Sequence, residues 1–223
     1  MPNLAIVGYG KMGRLIDQLA PEYGFHVTAR VDVDRDESLA GADVAVEFSV
    51  PSAVLGNIRK VSSLHIPIVI GTTAWQAHLD EAKSLIESND SALVWSPNFS
   101  VGVNVFTRLV SEAARLLANE KEYGAWAWEI HHITKKDAPS GTLIQLVDRM
   151  KAAGYSRNID TSSSRAGAHP GTHEIGFDSP ADTITLRHTA RSREGFARGA
   201  LKAAQWIIGR KGLFEFTEVL FGT

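Results

Sequence analysis

The chain has 223 residues, 44% hydrophobic, 22% charged and 8% aromatic, with a formal net charge of −2, a composition of soluble globular proteins long enough for one large domain or two small ones. The near-neutral balance argues against nucleic acid as a partner, because such binding needs several cations neutralising phosphates together. There is no cysteine, which removes disulfides, thiolate metal centres and cysteine nucleophiles. No run approaches the ~18 apolar residues of a membrane-crossing helix, and Met1-Pro2-Asn3 leads into an apolar segment without a basic leader, so no membrane is expected as a partner and a cytoplasmic location is, the weaker alternative being a secreted protein with its signal already removed.

Leu4-Ala5-Ile6-Val7 is a short apolar run of the kind that forms a strand buried on both faces, and it ends at Gly8-Tyr9-Gly10-Lys11-Met12-Gly13. Met12, Leu15, Ile16 and Leu19 then follow the spacing of an amphipathic helix that stops before Pro21 and Gly24. A second strand, His26 to Val31, leads to Asp32, 19 residues beyond Gly13. This is the strand-helix-strand spacing of a dinucleotide-binding unit. One glycine makes the tight turn, one lets a phosphate approach the backbone, and one lets helix and strand pack closely. A glycine-rich turn between any strand and helix of an α/β protein is the plainer alternative.

Three further buried strands are predicted at Asp43–Ser49, Ile66–Ile70 and Ala92–Ser96, with helices over 51–62 and 75–88 between them. In open parallel sheets ligands bind at the carboxyl ends of strands, so Phe48-Ser49, Gly71-Thr72-Thr73 and Ser96-Pro97-Asn98-Phe99-Ser100 should line one crevice. Gly71-Thr72-Thr73 also reads as an ordinary turn with a helix cap.

A helix is predicted from Val101 to Ala118 and a strand from Ala125 to His132, followed by Ile133-Thr134-Lys135-Lys136-Asp137-Ala138-Pro139-Ser140-Gly141-Thr142 and a helix over Leu143–Lys151. In an extended chain Glu129, His131, Ile133 and Lys135 share one face while His132 faces the other way. His131 and Lys135 can then converge on one ligand, and Ser140-Gly141-Thr142 at a helix start offers N–H groups and hydroxyls to a carboxylate or phosphate. A histidine that moves protons near neutrality, a lysine cation and an anion-binding turn suit a small acidic substrate.

Residues 155–173 are polar and rich in Ser, Gly and Arg, reading either as a flexible lid or as a plain exposed loop. His169 and His173 lie there, but with no further ligand at metal spacing no metal is expected. Glu174–Phe177 and Thr183–His188 alternate like strands of a half-exposed antiparallel sheet, and Phe196 to Ile208 reads as a helix.

The chain resembles the dihydrodipicolinate reductases (4-hydroxy-tetrahydrodipicolinate reductases) of bacterial lysine and diaminopimelate synthesis over nearly its whole length. The resemblance rests on Gly8 to Gly13, Gly71-Thr72-Thr73, Asn98-Phe99-Ser100-Val101-Gly102-Val103-Asn104 and above all the block Glu129 to Thr142. It implies an α/β fold in which a Rossmann-type parallel sheet is completed by the C-terminal segment. Residues 1–100 plus 194–223 would bind the dinucleotide, and an inserted mixed α/β domain, 101–193, would bind substrate and form a homotetramer. His131 matches the family's acid/base histidine and Lys135 its proton-donating lysine, with His132, Ser140, Gly141 and Thr142 at substrate-binding positions. Gly8, Tyr9, Gly10, Lys11, Met12, Gly13, Asp32, Gly71, Thr72, Thr73, Ser96, Pro97, Asn98 and Phe99 match cofactor contacts. The implied reaction uses NADH or NADPH to reduce a small dicarboxylate cyclic imine. Val33 follows Asp32 where members using both cofactors can place an arginine, and Asp32 itself favours NADH, against Lys11, Arg30 and Arg35 as possible phosphate partners. The alternatives are another NAD(P)-dependent amino-acid or aldehyde dehydrogenase, or a non-enzymatic dinucleotide sensor.

Overall fold

In the computed structural model, which describes residues 1–222, the first apolar run is β1 (Asn3–Val7), followed by α1 (Lys11–Leu19), β2 (His26–Asp32) and the short β3 (Arg35–Asp36). Next come β4 (Val44–Glu47), α2 (Val54–Ser62), β5 (Ile68–Ile70), α3 (Leu79–Ser88) and β6 (Ala92–Trp95). All four residues of β4 and all three of β5 are buried, as expected of strands covered on both faces.

The chain divides into two units: Met1–Val101 with the chain from Arg193 onward, and Gly102–Ser192. The second contains most of α4 (Val101–Leu116), then β7 (Gly124–His131), α5 (Gly141–Ala152), β8 (Ile159–Arg165), β9 (Thr172–Asp178) and β10 (Thr183–Thr189). Its four strands lie in the order β10-β9-β7-β8, with β8 parallel to β7 and the other pairs antiparallel. Phe106, Val110 and Ala114 of α4 and Leu143, Leu146 and Met150 of α5 form one core with Ala125, Ala127, Ile175 and Phe177 of the sheet.

Residues 155–173 are not simply a lid or loop: Thr161 to Ser164 lie inside β8, in register with Ala127 to Ile130. The serines carry no hydrophobic period because β8 is an edge strand, mostly exposed beyond Ile159. Backbone pairing with β7, rather than side-chain burial, makes it a strand.

The first unit is completed by α6 (Glu194–Ile207), β11 (Gly212–Glu215) and α7 (Phe216–Phe221). Its sheet runs β11-β6-β5-β4-β1-β2-β3, parallel except for the β2-β3 pair. Ile16 and Leu19 of α1 and Ala200, Leu201 and Ala204 of α6 pack in one core, and Ile58 and Val61 of α2 and Ile86 of α3 in a second. This is the doubly wound arrangement, with β11 joining β6 at the sheet's edge.

Candidate active site

The three glycines of the first turn divide their work as the spacing predicts. Gly8 has φ +90°, and a Cβ there would stand 2.1 Å from the Phe48 carbonyl oxygen; one at Gly13 would stand 2.2 Å from the Gly8 oxygen. Gly10 has nothing within 4 Å of that position, so the backbone there lies open to a ligand. It begins α1, which no side chain caps, and with Lys11 and Met12 it lines a cavity of about 660 Å³. Gly71 to Thr73 and Ser96 to Phe99, at the carboxyl ends of β5 and β6, line the same cavity. Arg193 and Phe196 line it too; they lie at the entry to α6, more than 90 residues beyond the last of the strand-end signals, and were not singled out.

A second cavity, about 420 Å³, is lined by Gly8, Gly10, Asp32, Val33, Ser49 and Asn57 among others. Asp32 is fixed there, accepting from Tyr9 N at 2.8 Å and from Val33 N at 2.8 Å. Tyr9 donates through its hydroxyl to Asp17 and carries Arg35 over its ring at 5.0 Å. Arg30, expected among the mobile cations, is instead held by a two-point pair with Asp17, Nε and Nη2 donating at 2.7 and 2.8 Å. Glu47, at the end of β4, is fully buried: Oε1 accepts from Ser49 Oγ and from Asn57 Nδ2, while Oε2 has no partner among the described residues. Burial pushes its pKa up.

In the second unit, alternation along β7 points Ala125, Ala127, Glu129 and His131 to the buried side. The strand ends at His131, so the face does not continue to Lys135 as the extended pattern implied. Ala166 N donates to the His131 oxygen, Ile133 N to the Gly167 oxygen and Lys135 N to the His132 oxygen, which turns the chain. Lys135 Nζ donates to both Asp137 oxygens at 2.7 and 2.9 Å, and His132 Nδ1 lies 2.8 Å from Thr134 Oγ1. Lys135 is nevertheless close enough to act on the His131 charge.

Glu129 is the hub. Its Oε1 accepts from Ser140 N at 2.8 Å, Ser163 Oγ at 2.9 Å and Arg165 Nη2 at 2.9 Å, and its Oε2 accepts from Ser140 Oγ. Against the burial that would raise it, these hydrogen bonds and the guanidinium hold its pKa at about 2. Ser140 also caps α5, its hydroxyl accepting from Leu143 N at 3.2 Å. Ser140, expected among the substrate contacts, thus turns both donors to Glu129, leaving Gly141 and Thr142 as the accessible part of the turn.

His131 Nδ1 lies 3.4 Å and His173 Nε2 3.3 Å from Glu129 Oε2, with the two rings edge-on at 5.1 Å. Burial lowers both histidine pKa values, that of His173 to about 4. The three donor atoms lie within 4.8 Å of one another, close enough for one cation to bridge, although Arg165 already neutralises the same carboxylate. Pairing of β8 with β7 puts Arg165 opposite His131, and pairing of β9 with β7 puts His173 opposite Glu129. Neither the Arg165 nor the His173 contact with Glu129 has a local sequence signal, since 36 and 44 residues separate them from it.

Residues 2–99 match the family model described as dihydrodipicolinate reductase, N-terminus, and residues 102–220 the one described as dihydrodipicolinate reductase, C-terminus. The chain belongs to the dihydrodipicolinate reductase family. A 4-hydroxy-tetrahydrodipicolinate reductase of Christiangramia forsetii is 35% identical over 98% of this chain and 97% of its own length. One from Methanoregula boonei is 33% identical over 89% and 82%. The fold is similar to that of the dipicolinate-bound dihydrodipicolinate reductase from Paenisporosarcina sp. TG-14, with a TM-score of 0.84 at 21% identity over 99% of this chain and 100% of that one. This reductase family member carries the dinucleotide-binding N-terminal domain of its relatives.

Proposed function

We propose that this chain reduces 4-hydroxy-tetrahydrodipicolinate to tetrahydrodipicolinate with NADH or NADPH, in lysine and diaminopimelate synthesis. The observation that carries the reading is the end of β7 and the segment after it, where His131, a lysine cation and the Gly141-Thr142 helix start, exposed at Gly141, lie in one unit. The first unit fits a dinucleotide: an uncapped helix start with an open Gly10, a cavity of about 660 Å³ and a fixed Asp32 carboxylate. Once the 4-hydroxyl has left as water to give the conjugated imine, a reduced nicotinamide, when bound, would supply a hydride to a ring carbon, and one proton would complete the reduction. The residues of the second unit handle the rest. Gly141 and Thr142 hold a substrate carboxylate at the helix start, and His132 adds a contact. Lys135 exchanges Asp137 for the substrate anion, and the Lys135 and His131 side chains supply charge and a proton as electron density develops on the ring.

Asp32 suits a ribose bearing both hydroxyls and repels a 2′-phosphate, and with Arg30 engaged by Asp17 the cations left to oppose it are Lys11 and Arg35. NADH is therefore preferred or equal, with NADPH usable. A cytoplasmic homotetramer is the working form implied by the family; among the described residues no helix is long and apolar enough to cross a membrane. The deciding experiment is oxidation of reduced nicotinamide by the purified chain with freshly generated 4-hydroxy-tetrahydrodipicolinate. Turnover is expected; dinucleotide binding without turnover would overturn the reading.

A further inference from the structure

His131 Nδ1 is buried and has no hydrogen-bond partner among the described residues, yet it faces Glu129 Oε2 at 3.4 Å. The opposite ring nitrogen, Nε2, faces Gly171, which has φ +135° and whose missing Cβ would stand 2.9 Å from it. One edge of the ring therefore meets a fixed carboxylate and the other a position kept clear of side-chain atoms. The carboxylate is immobile because Ser140, Ser163 and Arg165 hold Oε1 and the Ser140 hydroxyl holds Oε2. His173 approaches the same Oε2, but its Nε2 also lies 3.2 Å from Ser140 Oγ, so it has a second partner within reach. His131 Nδ1 has only the carboxylate to turn to.

We infer that Glu129 is a positioning residue that fixes His131 as the Nδ1-protonated tautomer, so that Nε2 is the nitrogen that exchanges the proton. The inference rests on the acid/base reading of His131 given above. A neutral imidazole carries its proton on one nitrogen, and the acceptor beside that nitrogen decides which. Here the acceptor is an anion that cannot rotate away. Small rotation of the ring shortens the 3.4 Å approach into a hydrogen bond. The charges facing His131 come from every neighbouring strand: Glu129 on β7 favours its cation, while Lys135 and His132 just beyond β7 and Arg165 on β8 disfavour it, and His173 on β9 stands edge-on and neutral near pH 7. Glu129 is the one favourable charge in that set, so neutralising it moves His131 titration to lower pH.

Long-range proton–nitrogen spectra of histidine-labelled protein above pH 7, with His131 assigned by its loss in His131→Gln, read the tautomer without turnover. The Nδ1–H form is expected for His131; an Nε2–H form would overturn the inference even if the chain reduces its substrate, and absent turnover leaves this readout untouched. In Glu129→Gln the His131 limb of the kcat profile should move down by about one pH unit and kcat should fall about 10²-fold, with dinucleotide affinity unchanged. A limb that stays in place in folded Glu129→Gln would likewise overturn it. If that variant does not fold, the tautomer in the native chain decides alone.

Discussion

His131→Ala should lower kcat by roughly 10²–10⁴-fold while leaving dinucleotide affinity within about twofold, because general acid–base groups act on the rate and His131 lies in the second unit, outside the dinucleotide-binding one. Steady-state kinetics beside dinucleotide titration check this, and near-native turnover would remove His131 from the chemistry. Lys135→Ala should lose both rate and affinity for dipicolinate; equal inhibition of native and variant chains would mean that the Asp137 pair is the whole role of this lysine. At Asp32, held by two backbone donors, Asp32→Ala should shift the ratio of kcat/KM values toward NADPH, by roughly tenfold or some 1.4 kcal/mol. The sequence singles out His131, Lys135 and Asp32 because each lies in a short motif whose proposed chemistry is local. Glu129, Arg165 and His173 form their cluster only through strand register, and register between strands 30 or more residues apart leaves no mark in a single sequence.

Among the elements, α6 is read correctly as a helix from its apolar spacing, but the spacing does not reveal how closely it approaches the strand-end loop after β6. A Cβ at Gly199 would lie 1.7 Å from the Phe99 carbonyl oxygen and 3.2 Å from the Phe216 ring. In an exposed helix Gly→Ala gains about 1 kcal/mol from propensity. Here the backbone must move instead, so Gly199→Ala should destabilise by about 2 kcal/mol or more, measured by denaturant unfolding, and should weaken dinucleotide binding because Phe99 lines the larger cavity. A variant as stable as the native chain would show that the helix has room to slide. The same contrast runs through the fold. The buried strands β1, β4, β5 and β6 announced themselves by continuous apolar runs, whereas β3, β8 and β11 lie toward sheet edges and are polar or only half-buried. Edge strands take their conformation from the neighbour's backbone, which composition does not encode.

For the whole molecule, buried ionisable groups set opposing slopes of stability against pH. Burial lowers the folded-state pKa of His131, His173 and His188, so the unfolded chain binds more protons than the folded one below the ordinary histidine pKa of 6.5. Stability is then full above that value and falls on acidification; for His173 the loss runs from 6.5 down to its folded value of about 4 and amounts to roughly 3 kcal/mol. Glu129, also depressed, adds a second loss between its unfolded value of 4.5 and about 2. Glu47 works the other way: burial raises its pKa, so its contribution is present below 4.5 and is lost as pH rises through the folded value. Three histidines outweigh one acid between pH 4 and 6.5, so Tm should climb across that window. His173→Gln should flatten the climb by removing its largest single histidine contribution, and Glu47→Gln should steepen it by raising stability at neutral pH while leaving the acid side unchanged. Thermal unfolding of the three proteins in steps of half a pH unit tests both signs at once. A His173→Gln curve parallel to the native one would show that this histidine is not held neutral in the folded chain, and the reading of the Glu129 cluster as one anion flanked by neutral rings would fail with it.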